Sequence, residues 1–139
     1  EGGIRMPMIV RWPGKVKAGQ VSNQVWAHWD FLPTVAEIAG AKAPNNLDGL
    51  SMLNGLLGRK QKGHEFLYWE FYERGFEQAV RMGDWKAVRH GLNQPIELYN
   101  LKDDLYEKNN ITAQKPDVVK KIENYLNTAR TESEIWKAK

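Results

Sequence analysis

The chain of 139 residues contains no cysteine, which removes disulfides, zinc–thiolate sites and thiol catalysis from consideration. That absence leaves the compartment open, because periplasmic and cytosolic proteins can equally do without the residue. No long apolar run occurs, so no segment reads as a membrane span. Histidine is scarce. His28, His64 and His90 stand far apart with no metal-spaced pair among them, and each reads as structural or surface. Glycine-rich phosphate loops, nucleophile elbows and kinase signatures are missing too. The net charge is only +3, with Lys and Arg scattered, far from the dense basic stripe of a nucleic-acid binder. The sequence therefore argues against nucleic acid and membrane as partners. No signal peptide is visible, and since the chain opens on Glu1 an export signal would lie upstream.

What is present suits a soluble domain. Hydrophobic residues make up 42% and charged residues 27%, enough for a packed core under an ordinary surface. Six Trp and five Tyr point to core and interface packing, with sugar stacking the sharper reading for one or two of them. Met8-Ile9-Val10, set between Pro7 and Trp12-Pro13-Gly14, has the length and punctuation of a buried strand. A helix is expected from Asp30 as N-cap to Gly40 as C-cap, with Leu32, Val35, Ala36 and Ala39 on one face. Ser51 would cap a short helix ending at Leu57. Beyond His64, alternation and turn signals predict four strands. They are Phe66–Tyr72, Gln78–Arg81, Trp85–Arg89 and Ile96–Tyr99, the middle pair joined by a tight turn at Met82-Gly83-Asp84. Pro116 opens a last helix whose stripe is Val118, Val119, Ile122, Leu126 and Ala129. The expected fold class is α+β: a small four-stranded antiparallel sheet packed with a long C-terminal helix, preceded by a strand–helix segment. The expected division is residues 1–60 and 61–139.

No reacting centre can be assembled from these residues. Asp103-Asp104 lacks the alternation and central Gly of a calcium loop and is better explained as turn chemistry. Glu70, Glu73 and Arg74 cluster after the aromatic strand beside Gly75. Two carboxylates that close could serve acid–base work, but a solvated strand end is the better reading, because charged residues mark most strand ends. Ester hydrolysis needs an activated nucleophile and a stabilised leaving group, and no specific set of that kind is present.

The order of several short motifs is more telling. Glu1-Gly2-Gly3-Ile4-Arg5-Met6-Pro7, running on to Trp12-Pro13-Gly14, resembles the E-G-G-x-R-x-P…W-P-G segment of arylsulfatase-type sulfatases. Asp30 to Gly40 resembles their D-[FL]-L-P-T-x-A-x-[IL]-A-G helix, and Asp48 to Leu53 their D-G-x-S-L segment. Leu67 to Phe71, Gln78 to Arg81, Asp84 to Arg89 and Glu97 to Leu101 look like the C-terminal sheet of bacterial members. Leu105 departs from a D-P-x-E-x-x-N pattern by replacing its Pro.

This resemblance implies the C-terminal portion of a sulfatase, a sulfuric ester hydrolase in the alkaline phosphatase superfamily. The parent would use calcium and a formylglycine made from Cys or Ser in C/S-x-P-x-R, all upstream of this segment, with no cofactor in this chain. Residues 1–60 would be the tail of the α/β catalytic domain and 61–139 a C-terminal subdomain. The implied partners are the missing N-terminal domain and, through the parent, a sulfated carbohydrate or aryl sulfate. The parent is expected in the periplasm or outside the cell, and the fragment alone is expected to be inactive and to self-associate. By the same resemblance Glu70, Glu73, Arg74 and His64 are nominated as substrate contacts at the pocket rim. The alternatives are a carbohydrate-binding module and a fragment of a phosphate or phosphonate ester hydrolase.

Overall fold

Alternating side chains between Leu67 and Asn100 give one apolar face to each of four short strands, and those faces come together. In the computed structural model, which describes residues 1–73 and 75–138, β1 (Leu67–Phe71), β2 (Glu77–Met82), β3 (Trp85–Arg89) and β4 (Glu97–Asn100) form an antiparallel sheet in sequence order. Gly83 opens the β2–β3 turn at φ 60°, the positive value that a two-residue hairpin requires there. The register sets Tyr68 beside Val80, Val80 beside Ala87 and Ala87 beside Leu98. Ile122 and Leu126 of the C-terminal helix (Pro116–Ala129) join that row to make the core. Phe66 stacks on Tyr125 of the same helix, with ring centroids 4.1 Å apart. Pro116 starts the helix without sacrificing a bonded N–H, and Asp117 complements its dipole.

The chain divides into two units. One combines this sheet and helix with Glu1–Arg5, and a buried ionic cluster on the other sheet face ties that short segment in. Lys86 of β3 is almost fully buried, and its Nζ donates to Glu107 Oε1 at 2.5 Å and lies 3.3 Å from Glu1 Oε2. Arg81 Nη1 donates to Glu1 Oε1 at 3.1 Å. Glu107 reaches the cluster from a backbone at φ 55°. That turn is pinned by Asp104, whose carboxylate accepts the N–H groups of Lys108 and Asn109. Asn110 then accepts from Leu98 N–H at 3.1 Å, bonding the loop to β4. The turn forms with Leu105 in place of Pro, since its geometry is held by these side-chain acceptors.

The other unit is Met6–His64. Its helices are α1 (Phe31–Ile38) and α2 (Leu53–Leu56), which makes the C-terminal helix α3. The Asp30 carboxylate does not cap α1 in the expected way. It is fully buried and accepts from Ala27 N–H at 2.7 Å and Leu50 N–H at 2.8 Å. Thr34 Oγ1 donates to Asp30 O at 2.6 Å and accepts from Met52 N–H at 2.9 Å. These bonds bury Pro33 and Thr34 rather than the stripe expected at Leu32 and Ala39, both of which are exposed. Gly40 closes α1 at φ 67° as expected, with Ala41 N–H bonded to Ala36 O. Gly49 has no room for a side chain, because a Cβ would fall 2.0 Å from Trp29 O. Met52 rather than Ser51 precedes α2 as its N-cap, although Ser51 Oγ accepts weakly from Leu53 N–H. Met8–Val10 is not a strand among the described residues. A strand needs a neighbour's N–H and C=O groups, none pairs with it, and Ile9 is 94% exposed.

The ionic cluster has a defined pH dependence. Burial alone would push Lys86 down and Glu107 up, but their bond prevails, holding Lys86 above and Glu107 below their ordinary values. Glu107 thus stabilises the fold above the usual carboxylate range and loses that contribution as pH falls through its lowered value. The contribution of Lys86 is complete below the usual lysine value and is lost only as pH rises through its raised one. We expect Glu107→Gln to lower stability near pH 7 by on the order of 1 kcal/mol. Urea melts should show that difference shrinking below pH ~4, and a pH-independent difference would contradict the assignment.

Candidate functional site

Side-chain alternation places Tyr68, Glu70 and Tyr72 on the same side of β1 and its continuation, and Glu70 sits at the centre of what they build. Tyr68 Oη donates to Glu70 Oε1 at 2.5 Å, and Tyr72 Oη donates to Oε2 at 2.6 Å. Arg130, just past the end of α3, brings Nε to 3.1 Å from Oε1. The chain of bonds runs on across the sheet. Gln78 Nε2 donates to Tyr68 Oη at 2.5 Å, and Arg89 Nε donates to Gln78 Oε1 at 2.9 Å. Burial, then the bond to Glu70, pushes the Tyr68 hydroxyl well above its usual range. It therefore stays a donor at any physiological pH.

Aromatic rings continue the cluster at the strand end. Tyr72 meets Phe76 edge-on with centroids 5.2 Å apart and meets Trp136 at 5.5 Å. Arg130 Nη2 donates to Trp136 O at 2.8 Å, which folds residues 131–136 back toward β1.

A second polar chain lies at the same end of the sheet. His90 Nδ1 is 3.0 Å from Glu77 Oε1, and its Nε2 is 3.7 Å from Glu97 Oε2. Tyr99 Oη donates to Glu97 Oε2 at 2.7 Å, and burial followed by that bond pushes Tyr99 up to about 12. Beside this chain is a cleft of about 350 Å³ between the β1–β2 connection and the β3–β4 loop, lined by Phe76, Glu77, His90, Leu92, Asn93 and Gln94 among others.

The four nominated residues fall in different settings. Glu70 is the hub just described, and Glu73 is exposed two residues beyond β1. Arg74 lies outside the described residues. His64 belongs to the other unit, where its Nε2 lies 2.7 Å from Asp30 Oδ1. Tyr68 and Tyr72 could have been picked out from the period-2 alternation around Glu70. Arg130 could not, because it arrives from 60 residues further along the chain.

The chemistry implied for the parent does not fit this chain's own side chains. There is no Cys, and none of Ser22, Ser51 and Ser133 stands in a C/S-x-P-x-R context, so nothing here can become formylglycine. Among the described residues no three His, Cys, Asp or Glu side chains converge to hold a metal ion. No reaction step through either group belongs to these residues.

Comparison with known proteins places this architecture among the sulfatases. Residues 1–132 match the family model described as "N-sulphoglucosamine sulphohydrolase, C-terminal", and the chain belongs to that family. It is 34% identical to a sulfatase of Formosa agariphila, over 91% of this chain and 27% of that protein. It is 28% identical to an N-acetylgalactosamine-6-O-sulfatase of Bacteroides thetaiotaomicron, over 94% of this chain and 28% of that protein. The solved structure of BT4656 in complex with its substrate D-glucosamine-2-N,6-O-disulfate superposes with a TM-score of 0.77 at 27% identity, covering 90% of this chain and 28% of that one. The chain thus spans little more than a quarter of the length of these relatives. The motif resemblance is borne out, and the matches favour neither the binding-module nor the phosphonate-hydrolase alternative.

The Glu70 hub can be tested by its asymmetry. Tyr68→Phe removes the bond donated to Glu70 and the one accepted from Gln78, and should cost about 1–3 kcal/mol. Glu70→Ala removes the common acceptor of two hydroxyls and the carboxylate partner of Arg130, so it should cost distinctly more in chemical denaturation. Equal losses would mean that Glu70 is not the centre of the network.

Proposed function

We propose that this chain is the C-terminal portion of a sulfuric ester hydrolase, inactive alone, and that it forms part of the substrate-pocket rim in the longer protein. The observation that carries this reading is the family match across residues 1–132. In this reading residues 1–60 complete the catalytic domain and 61–139 form the accessory subdomain. The nucleophile, a formylglycine, and its calcium belong to the preceding domain, where they would supply the attacking hydrate and neutralise sulfate charge.

This chain contributes binding and order. Glu73, exposed two residues beyond β1, and Arg74 are kept as substrate contacts on the strength of the motif resemblance. Glu70 and His64 act through the groups they hold. The substrate class is a sulfated carbohydrate, as two relatives with amino-sugar substrates or names suggest.

The longer protein should release sulfate from sulfated amino sugars, and the 139-residue chain should release none. Preferential turnover of phosphate or phosphonate esters by the longer protein would sink this reading. The isolated chain should also self-associate through the exposed Met6, Met8 and Ile9, since uncovered apolar segments seek partners. A clean monomer in sedimentation velocity, with residues 6–10 ordered, would argue against that.

A further inference from the structure

The α1 helix has two unlike sides. Three consecutive residues, Leu50, Ser51 and Met52, donate to Asp30, Glu37 and Thr34 respectively, and Pro33 and Thr34 are buried. The opposite side carries Phe31, Val35 and Ile38 at the i, i+4, i+7 spacing of one helix face, with Leu32 beside them. Phe31 is 67% exposed, Leu32 49% and Ile38 41%. Turning the helix to bury this row would break the bonds from residues 50–52. It would also leave the buried Asp30 carboxylate short of a donor, at the full cost of its desolvation. The polar side therefore holds the apolar side outward.

The unit around α1 has little core of its own. Among the described residues, Met52 is the one hydrophobic residue buried in Met6–His64, whereas the sheet unit buries ten. Nine large apolar side chains of Met6–His64 stand exposed instead. Apolar side chains are thus present in number but turned outward, the pattern of a core divided at an interface.

Two occupants could cover the α1 row: a second copy of the chain, or more of the same polypeptide. The match is to a family model described as C-terminal, and the chain spans only 27% and 28% of two relatives. A larger portion joined to residue 1 would meet the row at an effective concentration that a separate copy does not reach.

We propose that the Phe31–Leu32–Ile38 face of α1 is a docking surface for the portion of the longer protein that precedes Glu1, which meets it with an apolar surface of its own. This rests on the sulfatase reading above and names where the two portions join. The bonds from residues 50–52 preset the side of α1 that receives the preceding portion.

The test uses the longer protein with benzoylphenylalanine in place of Phe31, and separately in place of Ile38. After irradiation, cross-linked peptides are mapped by mass spectrometry over a dilution series. Cross-links within one molecule to residues preceding Glu1, with a yield unchanged on dilution, support the proposal. Cross-links between two copies, cross-links to residues 65–138, or none at all overturn it. Hydroxyl-radical footprinting checks the unsubstituted protein. Oxidation of Phe31 should be several-fold slower than for a ring that is 67% exposed, and oxidation at the exposed rate overturns the proposal. Phe31→Ser should lower the urea midpoint of the longer protein while Phe31→Leu largely preserves it, since only the second keeps the buried apolar area. Equal midpoints for the two variants also overturn it. A longer protein that releases no sulfate would count against the sulfatase reading alone, because cross-linking and footprinting need no turnover and still decide the face.

Discussion

Asp30 is fully buried, and its two carboxylate oxygens are met by three groups from separate places along the chain: Ala27 N–H, Leu50 N–H and the His64 ring. A carboxylate removed from water is costly unless donors replace the lost hydration, so these three positions must converge for the unit to form. The Thr34 hydroxyl, one helical turn on, adds Met52 N–H to the same set of constraints. The D-F-L-P-T and D-G-x-S-L motifs therefore have a mechanical meaning. The first supplies the acceptors and the second supplies the backbone that must approach them, with Gly49 small enough to pass under Trp29 O.

The sheet unit uses the same device in other places. Glu70 gathers Tyr68, Tyr72 and Arg130 at one end, and Glu107 with Glu1 surrounds Lys86 on the opposite sheet face. Each is a charge held by several partners, and the half-satisfied version of such a cluster is much worse than the complete one. This explains why motif residues that suggest chemistry are here occupied with holding the chain together. It also separates them from the cleft at His90, whose amide-bearing loop residues Asn93 and Gln94 are exposed.

Much of the fold was legible because it follows from local rules. Strand alternation, the Gly83 turn, Pro116 at the start of α3 and the stripe of Ile122 and Leu126 all act within a few residues, and the structure has them where the sequence puts them. The expected strand at Met8–Val10 failed for a different reason. Hydrophobicity and flanking prolines mark a segment suited to a sheet, but strand identity requires a second strand, and no described residue supplies one. Asp30 does stand at the N-cap position of α1, but its carboxylate makes no capping bond because the backbone amides of residues 27 and 50 take it.

The sequence by itself determined the family, through the order of its motifs, and the α+β layout, through periodicities of two and 3.6 residues. It also determined that this chain cannot supply a formylglycine, since that depends only on which residues are present. Only the tertiary structure decided what each polar side chain does. The motif resemblance nominates Glu70 and His64 as substrate contacts, and their partners in the fold, Arg130 and Asp30, lie 60 and 34 residues away along the chain. Their roles are set by which distant groups the folded backbone brings within about 3 Å, and sequence spacing carries no record of that distance.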